Sequence, residues 1–99
     1  MIEEKILELM NWCNKNRPDA APITVERGAV YFKLITRGSA AYCFIPIEDH
    51  STKQLGDMKS GDLMMPATYN QPAKHARGKL FDESTWENAF DKYGMRYFR

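Results

Sequence analysis

A chain of 99 residues, 43% of them hydrophobic and 12% aromatic, suffices for one domain with its own core and is too apolar for a disordered segment. The formal charge of +1 neither demands nor excludes a nucleic-acid partner, and no run approaches the roughly 18 apolar residues of a membrane span. The acids of MIEEKILELM stand where a secretory signal carries bases, which predicts a cytoplasmic protein whose two cysteines, Cys13 and Cys43, are buried free thiols.

Residues 2 to 16 have the pattern of an amphipathic helix. Ile2, Ile6, Leu9 and Cys13 share a stripe at 3.6 periodicity, while Glu3, Glu4, Glu8, Asn11 and Asn14 take the other side. Arg17-Pro18 ends it, because the residue before a proline is driven out of the helical region. After a connector, Asp19 to Pro22, the pattern changes to strands. Ile23 to Glu26 alternates, and Arg27-Gly28 reads as a tight turn. Ala29 to Thr36 is dense in β-branched and aromatic residues, with Val30, Phe32 and Leu34 on one face and Tyr31, Lys33 and Ile35 on the other.

Arg37-Gly38-Ser39 makes the next turn. Ala40 to Ile47 follows as a strand apolar on both sides, with Ala41, Cys43, Ile45 and Ile47 on one face and Tyr42 and Phe44 on the other. Pro46 lacks an amide donor and places that end at an edge or a bulge. Glu48 to Lys59 is polar and poorly periodic, a loop with room for a helical turn. Ser60-Gly61-Asp62 is a turn before a short strand, Leu63 to Ala67. Ser84-Thr85-Trp86-Glu87 fits a capping box that opens a helix running to Tyr93, with Gly94 as its C′ residue. Trp86, Ala89, Phe90 and Tyr93 give this helix an apolar stripe, and Met95 to Phe98 reads as a last short strand. The fold class is therefore α+β: an N-terminal helix, an antiparallel meander of four or five strands, an irregular basic strap and a C-terminal helix.

A sheet apolar on both faces needs two covers, and one helix supplies one. The strap, Pro66 to Phe81, is the natural second cover, with Ala73, Ala76, Leu80 and Phe81 as core plugs. The same stretch is the candidate binding segment. No acid stands between Asp62 and Asp82, whereas Lys74, Arg77 and Lys79 supply three bases beside His75. Lys and Arg contact phosphate or an acidic partner; Tyr69, His75 or Phe81 can stack on unpaired bases, and Gly78 lets a backbone come close. The binding residues expected are Tyr69, Lys74, His75, Arg77, Gly78 and Lys79, with the lid role taking precedence.

Other constellations are thinner. Cys13, Cys43, His50 and His75 lack metal-ligand spacing, and Cys43 with either histidine is a weak nucleophile pair, since a mid-strand thiol on an apolar face is inert. Asp49, Asp57, Asp62 and Asp82 match no calcium loop, and the isolated glycines form no phosphate loop. Neither catalytic residues nor a metal or cofactor is expected. Tyr31, Tyr42, Tyr93, Tyr97 and Phe98 exceed what a core of this size needs, and are either partner-binding aromatics or core residues with hydroxyls at the surface.

The stretch from Tyr42 to Phe81 resembles small uncharacterised proteins of tailed bacteriophages. The likeness lies in Cys43-Phe44-Ile45, Gly61-Asp62, Pro66-Ala67-Thr68-Tyr69, Pro72-Ala73-Lys74, Arg77-Gly78 and Leu80-Phe81, with Tyr93-Gly94 and Tyr97 later. It implies a phage product at work inside a bacterial cell and carries over no functional residue. The expectation is a non-enzymatic protein that binds a macromolecule, nucleic acid or protein, through the basic segment. The alternative is a protein–protein module, acting on a host or defence factor or on a second copy as a homo-oligomer, in which that segment is purely structural.

Overall fold

In the computed structural model, which describes residues 2–16, 22–36, 40–68, 71–91 and 94–95, the first element is helix α1 (Ile2–Lys15). Its stripe of Ile6, Leu9 and Cys13 is buried as the periodicity requires, and Glu3 and Glu4 occupy the positive end of the helix dipole. The helix stop at Arg17-Pro18 and the turn at Arg37-Gly38-Ser39 lie outside the described residues. Strands β1 (Ile23–Arg27), β2 (Tyr31–Thr36) and β3 (Ala40–Pro46) pair antiparallel in succession. After an excursion, β6 (Asp62–Pro66) and β7 (Pro72–Lys79) complete a five-stranded sheet in the order β1-β2-β3-β6-β7. The architecture is α+β, and no helix among the described residues is long and apolar enough to cross a membrane.

The excursion corrects the reading of 48 to 59 as a loop with room for a helical turn. It forms a hairpin, β4 (His50–Thr52) and β5 (Gly56–Met58). Its turn is made by Gly56 at φ 72° and by Thr52, whose hydroxyl accepts from the Leu55 amide at 2.9 Å. Polar spacing concealed it because three-residue strands are too short to show a period of two. The turn at Gly28 also differs: the positive-φ glycines among the described residues are Gly56 and Gly61, and Gly28 instead bonds the Tyr31 carbonyl at 2.8 Å. Pro46 closes a central strand, not an edge, at the end where β3 and β6 share the single pair Phe44–Met64.

A bulge decides which side chains go to which face. Leu34 pairs with Cys43 and Ile35 with Ala41, so Tyr42 is an extra residue in β3 and the strict alternation breaks there. Tyr42 thereby joins Cys43 and Ile45 on the first face, in a cluster with Ile6, Leu9, Leu34, Leu63, Trp86 and Phe90. Ala41 and Phe44 are left on the second face with Met58, Met64, Tyr31 and Leu55. Helix α1 and the C-terminal elements cover the first face. The β4–β5 hairpin covers the second, through Met58 and Leu55, with Tyr31 donating to the Met58 sulfur at 3.6 Å and meeting the His50 ring edge-on at 5.7 Å. The second cover is therefore the hairpin, and the strap expected in that role is a strand of the sheet itself.

The C-terminal helix is also shorter than its apolar spacing suggested. A 3-10 turn, Glu83–Thr85, leads into α2 (Trp86–Ala89), followed by the two-residue strands β8 (Phe90–Asp91) and β9 (Gly94–Met95). Asp82, not Ser84, provides the cap, its carboxylate accepting from the Ser84 amide. Thr85 makes no cap bond because its hydroxyl is committed to the carbonyls of Lys79 and Asp82. Phe90 turns extended (φ −125°, ψ 148°) and stacks on Tyr42 at 5.4 Å with the rings 1° from parallel. That tertiary contact ends the helix where its own periodicity would have continued it. Gly94 begins β9 instead of capping the helix, while Tyr93, Tyr97 and Phe98 lie outside the described residues.

Candidate functional site at the end of β7

Strand β7 is an edge strand, and it is irregular because it holds more residues than its partner. Leu63 pairs with Gly78 and Met64 with Ala76, so Arg77 is the extra residue of a bulge. From Met64 to Pro66 the partner advances two positions while β7 advances four, a second irregularity that spans Ala73, Lys74 and His75. A proline, two irregularities and basic residues are what blunt a sheet edge against adventitious pairing.

The expected binding residues divide along this strand. Tyr69 lies outside the described residues; Lys74 and His75 belong to β7, where their main chain alone is described. Arg77 is half-buried at the bulge. Gly78 is a packing glycine: a Cβ there would stand 2.9 Å from the Thr85 hydroxyl, 3.2 Å from Ala89 and 3.3 Å from Leu63. It lets α2 lie against the sheet instead of letting a ligand approach. Lys79 is half-exposed and pairs with Asp62, a carboxylate only 5% exposed that also accepts from the Lys59 amide at 3.0 Å. A buried carboxylate with one charged and one amide donor is a satisfied structural group. Gly78 and Lys79 therefore hold the end of the strand in place.

What they hold is a turn. The Asp82 amide donates to the Lys79 carbonyl at 3.2 Å, the Leu80 amide to the Gly61 carbonyl at 2.7 Å, and the Lys79 amide to the Thr85 hydroxyl at 2.9 Å. The Trp86 indole donates to the same Lys79 carbonyl at 3.1 Å. Leu80 points into the core and is fully buried, whereas Phe81, expected as a second plug, is 57% exposed. One side of its ring lies over Gly61, where φ is 86° and an added Cβ would come within 2.9 Å of the ring. The sequence does contain the signal for this, an apolar pair at a turn, since two consecutive residues there cannot both face inward.

The region around the ring is mixed in charge. Lys79 is balanced by Asp62, Asp82 accepts from Ser84, and Glu83 binds Lys5 at 2.7 Å beside the Trp86 ring. Glu83 and Glu8 hold the Lys5 ammonium above its ordinary pKa.

Elsewhere, Cys13 and Cys43 are buried on the first face as thiols, with no disulfide. Burial and the neighbouring Cys13 push the Cys43 thiol well above its usual range, the opposite of what a nucleophile needs. His50 packs on Tyr31 at the second face, so Cys43 and His50 stand on opposite sides of the sheet. Among the described residues no three His, Cys, Asp or Glu side chains gather as a metal site: Asp49 binds Lys59 and the Ser60 amide, Asp62 binds Lys79, and Asp82 caps its turn. Tyr31 and Tyr42, counted among the surplus aromatics, are packed into the two clusters.

The fold and this turn define a small α+β domain with an aromatic presented beside a bulged sheet edge. The chain belongs to a family of unknown function, DUF7717, whose model matches residues 2–96. No curated protein and no solved structure matches it.

Proposed function

We propose that this chain is a non-enzymatic binding module that engages a protein partner through the turn at the end of β7, with Phe81 as the anchor. The observation that carries the reading is the exposure of a large aromatic ring on a turn whose flanking main chain, at Lys79, Leu80 and Asp82, is hydrogen-bonded. A rigid aromatic loses little conformational entropy on binding and buries much area, which is why such residues dominate interface energetics. The balanced charges around it fit the mixed polar rim of a protein interface. The phage-like motifs in its second half support a role inside a bacterial host, on a host or viral protein.

The test is recovery of partners from bacterial lysate on immobilised protein, followed by direct affinity measurement with the purified partner. Phe81→Ala is expected to weaken binding by about tenfold or more, whereas Leu7→Ala, at an exposed position on α1, leaves it unchanged. A partner whose affinity ignores Phe81 sinks this reading.

The acid-free run from Leu63 to Phe81 favours a second reading, a nucleic-acid surface in which Lys74 and Arg77 reach phosphates while Phe81 stacks on a base and Lys79 stays with Asp62. Binding to single-stranded or duplex oligonucleotides at low salt, falling steeply as salt rises, would favour it over the protein partner.

A further inference from the structure

The opposite edge of the sheet, β1, differs in kind. Asn14, near the end of α1, bonds both main-chain groups of Ile23: its amide donates to the carbonyl at 3.2 Å, and its oxygen accepts from the N–H at 2.7 Å. Ile23 therefore points its main-chain groups away from β2. At the other end of the strand the Gly28 amide donates to the Tyr31 carbonyl at 2.8 Å, so the even-numbered residues are those bonded inward. Because a strand alternates, the N–H and C=O of Val25 and Arg27 also point outward. Among the described residues neither has a main-chain partner there. The pairing of β1 with β2 runs five residues without a bulge, so this edge is as regular as β7 is broken.

We infer that the outer edge of β1 docks an extended segment of a partner protein, which adds as a strand beside Val25 and Arg27. Main-chain donors and acceptors spaced two residues apart are matched by another extended backbone. Asn14 already imitates one such pair at Ile23 and closes the edge there, which limits the added strand to Val25 and beyond.

Side-chain chemistry narrows the partner. Glu26 is exposed on the second face and makes no ion pair among the described residues. It borders a recess of 270 Å³ lined also by Val30, Tyr31, Lys33 and Phe44. The Lys33 ammonium is drawn over the Phe44 ring at 5.4 Å, and Val30 is 45% exposed. A residue opposite Glu26 in the added strand projects onto this face. The match is an arginine or lysine, its head on the carboxylate and its methylenes over the apolar rim.

A second copy of this chain fits less well. Self-pairing that matches Val25 with the other copy's Arg27 would set the two Glu26 carboxylates directly opposite each other. Self-pairing centred on Val25 would set Arg27 against the other copy's Ile23, whose main-chain groups Asn14 already holds. This site is independent of the Phe81 turn.

The probe is a capped pentapeptide, Thr-Val-Arg-Val-Thr, titrated into the isotopically labelled protein and followed by amide hydrogen exchange. Saturable protection is expected at Val25 and Arg27, by about tenfold or more, with Thr24 and Glu26 little changed. Val25→Pro deletes the outward N–H and spares the bonds to β2, so it should abolish that protection; Phe81→Ala should leave it intact. Should Val25→Pro fail to fold, Glu26→Lys serves: it should lower affinity for the arginine peptide by about tenfold and favour the same peptide with glutamate at its centre. The inference is overturned if no protection develops at millimolar peptide. It is equally overturned if Val25 and Arg27 are already protected without peptide, whether independently of protein concentration, by the chain's own residues, or in proportion to it, by a second copy.

Discussion

The two edges of the five-stranded sheet solve the same problem in opposite ways. An edge strand carries main-chain groups that its sheet leaves unpaired, and those groups invite another strand. β7 answers with irregularity: Pro72, the extra residue Arg77, and a final residue whose amide and carbonyl are taken by Thr85 and Trp86. β1 answers with one side-chain amide, Asn14, and among the described residues leaves the outward groups of Val25 and Arg27 unpaired. The first edge presents a side chain, Phe81; the second presents a backbone. Recognition at β7 should therefore depend on one ring, and recognition at β1 on register and hydrogen bonding.

The largest effect is expected from dismantling the β7 clamp. Trp86→Ala removes a buried indole that donates to Lys79 and meets the Trp12 ring at 5.8 Å, so it should cost about 3–5 kcal/mol in denaturant unfolding. Exchange should accelerate first along β7. If β1 loosened equally, the edges would not be independently secured.

Asn14→Ala tests the other edge with a smaller loss, about 1–2 kcal/mol for two hydrogen bonds at a half-buried site. It should expose the Ile23 amide to exchange and lengthen the strand that β1 can accept. A peptide one pair longer should then gain affinity for the variant and not for the wild type.

The smallest effect separates the edges from the centre. Burial holds the Cys43 thiol above its ordinary 9.0, so above that pH the unfolded chain loses a proton that the folded chain keeps. Stability is then undiminished below about pH 8 and falls as pH rises, by at most about 1.4 kcal/mol per pH unit for this group. Burial raises the Tyr31 phenol too, in the same direction. Cys43→Ala should flatten the slope in pH-resolved unfolding, and exchange should rise alike at β1 and β7, because β3 lies between them.

Helix α1 and strand β2 were legible from period, because each buries a stripe, Ile6, Leu9 and Cys13 or Phe32 and Leu34, whereas β3 was legible only as an apolar run whose faces the bulge decides. The need for a second cover was legible too, but not its source. The hairpin that supplies it contributes few apolar residues, chiefly Leu55 and Met58, and two contacts do not make a pattern. At the candidate site the bases of β7 were conspicuous, yet two of the chosen residues turned out structural. Gly78 is set by the approach of Ala89, and Lys79 by the burial of Asp62, and neither partner is near in sequence. Asp62 itself reads as an ordinary turn residue until the fold buries it.

By itself, then, the sequence determined the local terms: the periods of α1 and β2 and the stretch that lacks acids. These depend on neighbours within a few residues. The tertiary structure decided what depends on distant neighbours: the bulge that turns Tyr42 toward Phe90, the contact that ends α2 at Ala89, and the exposure of Phe81 beside buried Leu80. It also decided that one edge is broken and clamped while the other is straight and, among the described residues, open, since whether a main-chain group is paired depends on what the fold brings beside it.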